Sequence, residues 1–277
     1  MLELVDLRGV LIITLIFIPL ERLLPLHADQ KVLRKRWLND LFYFFFNGLP
    51  VQIGLGVLVG SLMIGIRFAV PESLGEFVQV QPIWLQTAEV IVVADTGLYL
   101  AHRAFHAVPF LWKFHAIHHS IEEMDCLASY RVHPVDQILM LTASLLPVYA
   151  IGFSGTAIAI HALVFHLQAL LLHSNTRIRF GPFKWVLASP QFHHWHHANE
   201  RQAYDKNFAA LLPFIDAIGG TLYMPDRMPR MYGIDDPVPP LYHQQLMYPF
   251  QQGARQPEST QLLGNSTVGT VKPPSEA

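Results

Sequence analysis

Eight of the fifteen histidines stand in three tight groups: His102 and His106, then His115, His118 and His119, then His193, His196 and His197. The spacings read H-x-x-x-H, H-x-x-H-H and H-x-x-H-H. Residues three and four apart share a helix face, so each group aims its imidazoles at one point. Neutral imidazole is the commonest metal ligand, and rings gathered this closely oppose one another's protonation. A single tetrahedral ion takes about four ligands, so these groups suit two metal ions held close together. One His-His pair alone would be an ordinary solvated or hydrogen-bonded pair. Three spaced groups in one chain make coincidence a poor explanation.

The elements that must position these groups are apolar. The chain is 52% hydrophobic and 14% charged, with a mean hydropathy of +0.30, which is a membrane composition. A span needs about 20 mainly apolar residues. The candidates are Val10 to Leu26, Leu38 to Ile66, Ile83 to Ala101, Val135 to Gly152 and Thr156 to Leu172, the second long enough to include an interfacial turn. The start of the chain, with Glu3 and Asp6 against only Arg8 and no small-residue cleavage site, does not read as a secretory signal. Lys31, Arg34, Lys35 and Arg36 mark the loop after the first span as cytoplasmic, whereas Arg67 to Pro82, with Glu72 and Glu76, reads as the opposite side. The third span then returns at Ala101, where the histidines begin, and all three groups are expected on the cytoplasmic side. The fold class expected is all-α: a multi-span membrane domain with a helical cytosolic cap.

Local signals give the groups supports. Asp95, Tyr99, His102 and His106 form one helical stripe. Asp95 costs about 2.5–3.5 kcal/mol at a bilayer centre, so it faces the protein interior, either as a carboxylate behind a ligating imidazole or as a packing partner of Tyr99. Ser189 can cap a helix with Pro190 in its first turn, presenting His193, His196 and His197 together. His133 and His173 sit at the mouths of the fourth and fifth spans and could add ligands. His166 shares the face of His173 but lies deeper, and is left open. His161 reads as a packing residue, and His194, His27 and His243 fall outside the pattern.

Together these residues resemble the fatty acid hydroxylase and sterol desaturase superfamily. Asp95-Thr-Gly-Leu-Tyr99-Leu-Ala-His102-Arg103 is similar to that family's entry to its first histidine box, and Arg131-Val-His133-Pro134 to the segment after its second. His173-Ser-Asn175, Ser189-Pro190 and Asn207 through Thr221 resemble its final stretch, so the likeness runs from Ile83 to Thr221. His194 stands where a basic residue is common, and Cys126 where an aromatic is common.

The resemblance implies a membrane di-iron enzyme that uses O2 to hydroxylate or desaturate a lipid, with hydroxylation slightly favoured. It implies metal ligation by the three groups, with His133 and His173 as further ligands and Asp95 and Asn175 behind them. Such chemistry is physically sensible, because an unactivated C–H bond needs a stronger oxidant than any side chain supplies. The chain carries no G-x-G-x-x-G after a strand and no fused electron-transfer module, so a separate reductase and carrier protein are expected to supply electrons.

Rival readings are a metal-handling membrane protein, which would string histidines through the spans, and a bis-histidine haem carrier, which would pair single histidines mid-membrane. A carboxylate-type di-iron bundle is disfavoured because the chain has no Glu-x-x-His pair. A hydrolytic zinc enzyme would draw its base from Glu122, Glu123 or Asp125, which read as a solvated loop. A single cysteine, Cys126, excludes an internal disulfide, and a net charge of −2 argues against nucleic acid. The organisation expected is membrane spans over 1–82, a catalytic domain over 83–230 and a disordered tail over 248–277.

Overall fold

The computed structural model describes residues 7–66 and 68–251, which are helix and loop joined by two isolated bridges. In chain order, α1 (Leu7–Ile12), a π-helical turn (Ile13–Phe17) and α2 (Ile18–Leu23) form one continuous run. There follow α3 (Trp37–Phe46), α4 (Gly48–Ile66), α5 (Glu72–Gln79), α6 (Ile83–Ala107) and α7 (Pro109–His119). After a 3₁₀ turn (Cys126–Tyr130) come α8 (Pro134–Ile151), α9 (Gly155–His173), α10 (Pro190–His196), α11 (Pro213–Gly219) and α12 (Tyr242–Met247).

Four helices, α4, α6, α8 and α9, are long and apolar enough to cross a bilayer, and the protein is an integral membrane protein. The expected first span, Val10 to Leu26, is not among them. Its helix stops at Leu23, where the backbone leaves the helical path and Pro25 bridges to Thr176. The buried Glu21 carboxylate pins the run to the cap by accepting from the backbone N–H groups of Cys126 and Asn175. The expected Leu38 to Ile66 span divides at Asn47, whose amide donates to the Val132 carbonyl.

The spans alternate direction, so their ends fall at two levels. At the far level the Ser154 N–H donates to Gln86 and the Gln79 amide donates to the Gly152 carbonyl. At the near level lie the end of α6, all of α7, the start of α8 and the end of α9, covered by α10, α11 and α12. Punctuation sets these ends. Pro109 opens α7 directly after the extended Val108, and Pro134 opens α8. Gly152 ends α8 with φ 89°, a left-handed conformation suited to glycine. Ser154 then caps α9 through the Ala157 N–H. The expected disordered tail starts inside the described structure, where Tyr248 and Pro249 are buried in a 3₁₀ turn; its remainder, from 252 on, lies outside the described residues.

α6 is the central post, packing on α8 along one side and α9 along another. Its closest approach to α8 is at Gly97, where any Cβ would overlap the Ala143 carbonyl. Gly97→Ala should therefore force the two spans apart and destabilise the fold by about 1–3 kcal/mol, as overpacking of a close contact does. Thermal unfolding in detergent checks this, and an unchanged midpoint would contradict the close contact.

Candidate metal centre

The near end of the bundle gathers histidines in two buried groups. His102 and His106 of α6, His115 and His119 of α7, and His196 of α10 form the first. His118 of α7, His173 at the end of α9, His193 of α10 and His197 just after it form the second. Within each group the ligating atoms lie within 4.8 Å of one another. α7 serves both groups because His118 faces one way while His115 and His119 face the other. α10 divides likewise, with Ser189 accepting the Phe192 N–H at its start and Pro190 in its first turn.

Hydrogen bonds on the outer nitrogens fix the tautomers. Nδ1–H donates to a backbone carbonyl in four rings: His102 to Phe208 (2.7 Å), His118 to Arg131 (3.1 Å), His173 to Ala169 (2.8 Å) and His196 to Lys206 (2.7 Å). The His115 Nδ1–H donates to the buried Asp136 carboxylate at 2.8 Å. Each Nε2 then carries a lone pair pointing inward. Yet His102 and His115 bring their Nε2 atoms to 2.9 Å, and His118 and His173 to 3.2 Å. Neither nitrogen of such a pair has a proton to share, so the contacts repel unless a cation lies between them. The Nε2 atoms of His106 and His196 are buried with no partner at all. Two groups of neutral imidazoles converging on two points, with the outer nitrogens of His102, His115, His118, His173 and His196 anchored, form a donor set suited to two metal ions.

The anchors come from two scaffolds. One is the loop after α10, where Asp205 lies 3.3 Å from His106 Nδ1, Lys206 holds His196 and Phe208 holds His102. Asp205 and Asn207 take left-handed backbone angles there, φ 56° and 60°, a conformation rare outside glycine. Asn207 stabilises it by donating to the carbonyls of Phe192 and Tyr223 and accepting the Tyr223 N–H. Asp216 takes the N–H groups of Phe208 and Ala209, and Asp95 those of Ala210, Leu211 and Leu212. The other scaffold is a buried network in which Arg34 pairs with Asp40 and Asp125, and Arg131 with Asp40. It fixes Arg131, whose carbonyl orients His118.

Some sequence expectations land elsewhere. The structure brings His173 together with His118, His193 and His197, but sets His133 apart. His133 Nδ1 accepts the Val135 N–H as the cap of α8, and its Nε2–H donates to the Leu246 carbonyl. Asp95 touches no ligating ring and acts on the loop that carries Phe208. Asn175 exchanges hydrogen bonds with the His27 backbone. His194 is buried between the Tyr232 hydroxyl and the Ser174 carbonyl. His161 lies beside Phe165, and His166 beside Tyr130. Asp136 and Asp205, which hold the rings of His115 and His106, had no place in the sequence reading. Asp136 had one sequence signal, its place in the first turn of a helix opened by His133-Pro134.

A cavity of about 210 Å³ reaches the histidines between α8 and α9. Its walls include Leu98, Met140, Leu141, Phe165 and Leu172, and its floor is formed by His102, His115, His118, His173 and His193 from both groups.

Burial holds the imidazoles of His115, His118, His119, His193, His196 and His197 well below the usual histidine value, and their neighbours push them further down. The metal-free folded protein therefore refuses protons that the unfolded chain takes up below about pH 6.5. Its stability should be level above that pH and fall as the pH drops through it. Thermal unfolding of chelator-treated protein between about pH 8 and about pH 5.5 reads this, and a midpoint rising on acidification would contradict it.

Comparison with known proteins agrees with this geometry. Residues 87–221 match the fatty acid hydroxylase family model. An ornithine lipid hydroxylase, OlsE of Rhizobium tropici, is 28% identical over 85% of this chain and 72% of its own length. The alkylglycerol monooxygenase of Homo sapiens is 31% identical over 52% of this chain, which spans 32% of that protein. A very-long-chain aldehyde decarbonylase, GL1-1 of Oryza sativa subsp. indica, is 29% identical over 51% of this chain and 25% of its own length. No solved structure matches. The matched segment contains every histidine of both groups, and it is over this segment that the protein belongs to the fatty acid hydroxylase family, a family of membrane histidine-box enzymes that act on lipids.

Proposed function

We propose that the protein is an O2-dependent, non-haem di-iron lipid hydroxylase. The observation that carries this reading is the placing of two convergent imidazole groups at the floor of an apolar cavity between two membrane spans. His102, His106, His115, His119 and His196 would hold one iron, and His118, His173, His193 and His197 the other. When bound, the irons supply the activation of dioxygen that no side chain provides. The chain's own residues do the rest. Asp136, Asp205 and the carbonyls of Phe208, Lys206, Arg131 and Ala169 keep the rings aimed inward. Met140, Leu141, Phe165 and Leu172 line a passage in which a lipid displaces water.

Electrons come from a separate carrier protein and its reductase. The metal-bearing end faces the cytoplasm: Lys31, Lys35, Arg177, Arg179, Lys184, Arg201 and Arg230 lie at that end, whereas the far end bears Glu72 and Glu76. Since one relative is named for ornithine lipid and another for alkylglycerol, amino-lipids and ether lipids are the first substrates to offer. Desaturation begins with the same hydrogen abstraction and is the second reading.

Lipid mass spectrometry on membranes of a deletion strain, complemented with wild type, His118→Ala, His196→Ala or His194→Ala, tests this. Wild type should add one oxygen to one lipid class, His118→Ala and His196→Ala should abolish it, and His194→Ala should retain it. A loss of two hydrogens would decide for desaturation. Full activity in His118→Ala and His196→Ala would contradict the site.

A further inference from the structure

A second cavity, of about 240 Å³, lies outside the histidine site. Val10, Ile13 and Ile18 of the α1–α2 run wall one side, and Leu41, Phe44 and Phe45 of α3 the other. Glu21, Arg22 and Asp125 stand at its cap end. Both acids there are already satisfied: Glu21 by two backbone N–H groups, and Asp125 by Arg34. The Arg22 guanidinium is exposed and donates to the Gln30 carbonyl. The slot therefore runs from a polar end to an apolar end, as a membrane lipid does. An apolar space left empty forfeits dispersion contacts along its whole lining, and hydrocarbon is the solvent at hand.

Only a thin wall separates this slot from the histidine cavity. Cys126 and Leu127 of the 3₁₀ turn face the slot, while Ser129 and Tyr130 of the same turn line the histidine cavity. Phe44 on the slot side meets Tyr130 edge to face at 4.8 Å. The turn is thus a ridge with an apolar cavity on either flank.

We propose that the slot holds one hydrocarbon chain of a two-chain lipid whose other arm reaches the histidines, the molecule sitting astride the Cys126–Tyr130 turn. This rests on the lipid-oxidising reading above and names its substrate class: lipids with two chains, as opposed to free fatty acids or single-chain lipids.

The test uses the full-length protein in lipid nanodiscs with an amino-lipid carrying a photoactivatable diazirine on one chain, beside its single-chain form. Crosslinks are expected in residues 10–18 or 41–45. Leu41→Trp fills the slot and should raise KM for the two-chain lipid roughly tenfold, while KM for the single-chain lipid stays within about twofold. Retained turnover of the single-chain lipid by Leu41→Trp shows that the variant is folded. Labelling elsewhere, or a Leu41→Trp effect equal on both lipids or absent from both, would overturn the proposal. If wild type oxidises neither lipid, the failure lies with the lipid-oxidising reading, and the crosslink alone decides the slot.

Discussion

Lone pairs on buried imidazoles facing one another at about 3 Å, His102 against His115 and His118 against His173, are the constraint on which the rest of this structure depends. Such a cluster cannot relieve itself by protonation, since burial and mutual repulsion disfavour the charged rings. These four rings cannot relieve themselves by rotation, since their outer nitrogens are committed to the carbonyls of Phe208, Arg131 and Ala169 and the Asp136 carboxylate. Cations between the rings turn the repulsion into coordination. The need to hold that arrangement before any ion arrives explains why so many other residues are buried and polar.

The two groups are held by different parts of the chain. The five-histidine group depends on one irregular loop, 205–212, which Asn207, Asp216 and Asp95 fold into a shape that helices alone would not supply. The four-histidine group depends on the network of Arg34, Asp40, Asp125 and Arg131, two members of which come from the N-terminal part of the chain. Residues before the first matched position of the family model thus take part in shaping the site. The same N-terminal part also supplies one wall of the second cavity, so the α1–α2 run does structural duty at the cap level.

Much of this was legible in sequence because helical spacing is a strong local signal. The three histidine groups, the Ser189 cap and the all-helical membrane architecture follow from periodicity and punctuation. What stayed hidden depends on long-range placement. His133 and His173 look alike in sequence, each at the mouth of a span, but one caps its helix and the other ends its helix facing α10. Asp95 lies on the stripe of His102 and His106 yet meets a loop more than a hundred residues away. Asp205 has no periodic signal because it sits in that same loop. The α1–α2 run was expected as a span on apolarity alone; Glu21, inside it, is the residue that ties its end to the cap, because its carboxylate takes the backbone N–H groups of Cys126 and Asn175.

The most direct test of the central claim is the metal content of the purified full-length protein, read by elemental analysis with X-ray absorption at the iron edge. The account predicts two irons per chain, each coordinated by histidine nitrogens without thiolate. One ion per chain, or none in protein that is folded and membrane-extracted intact, would contradict it.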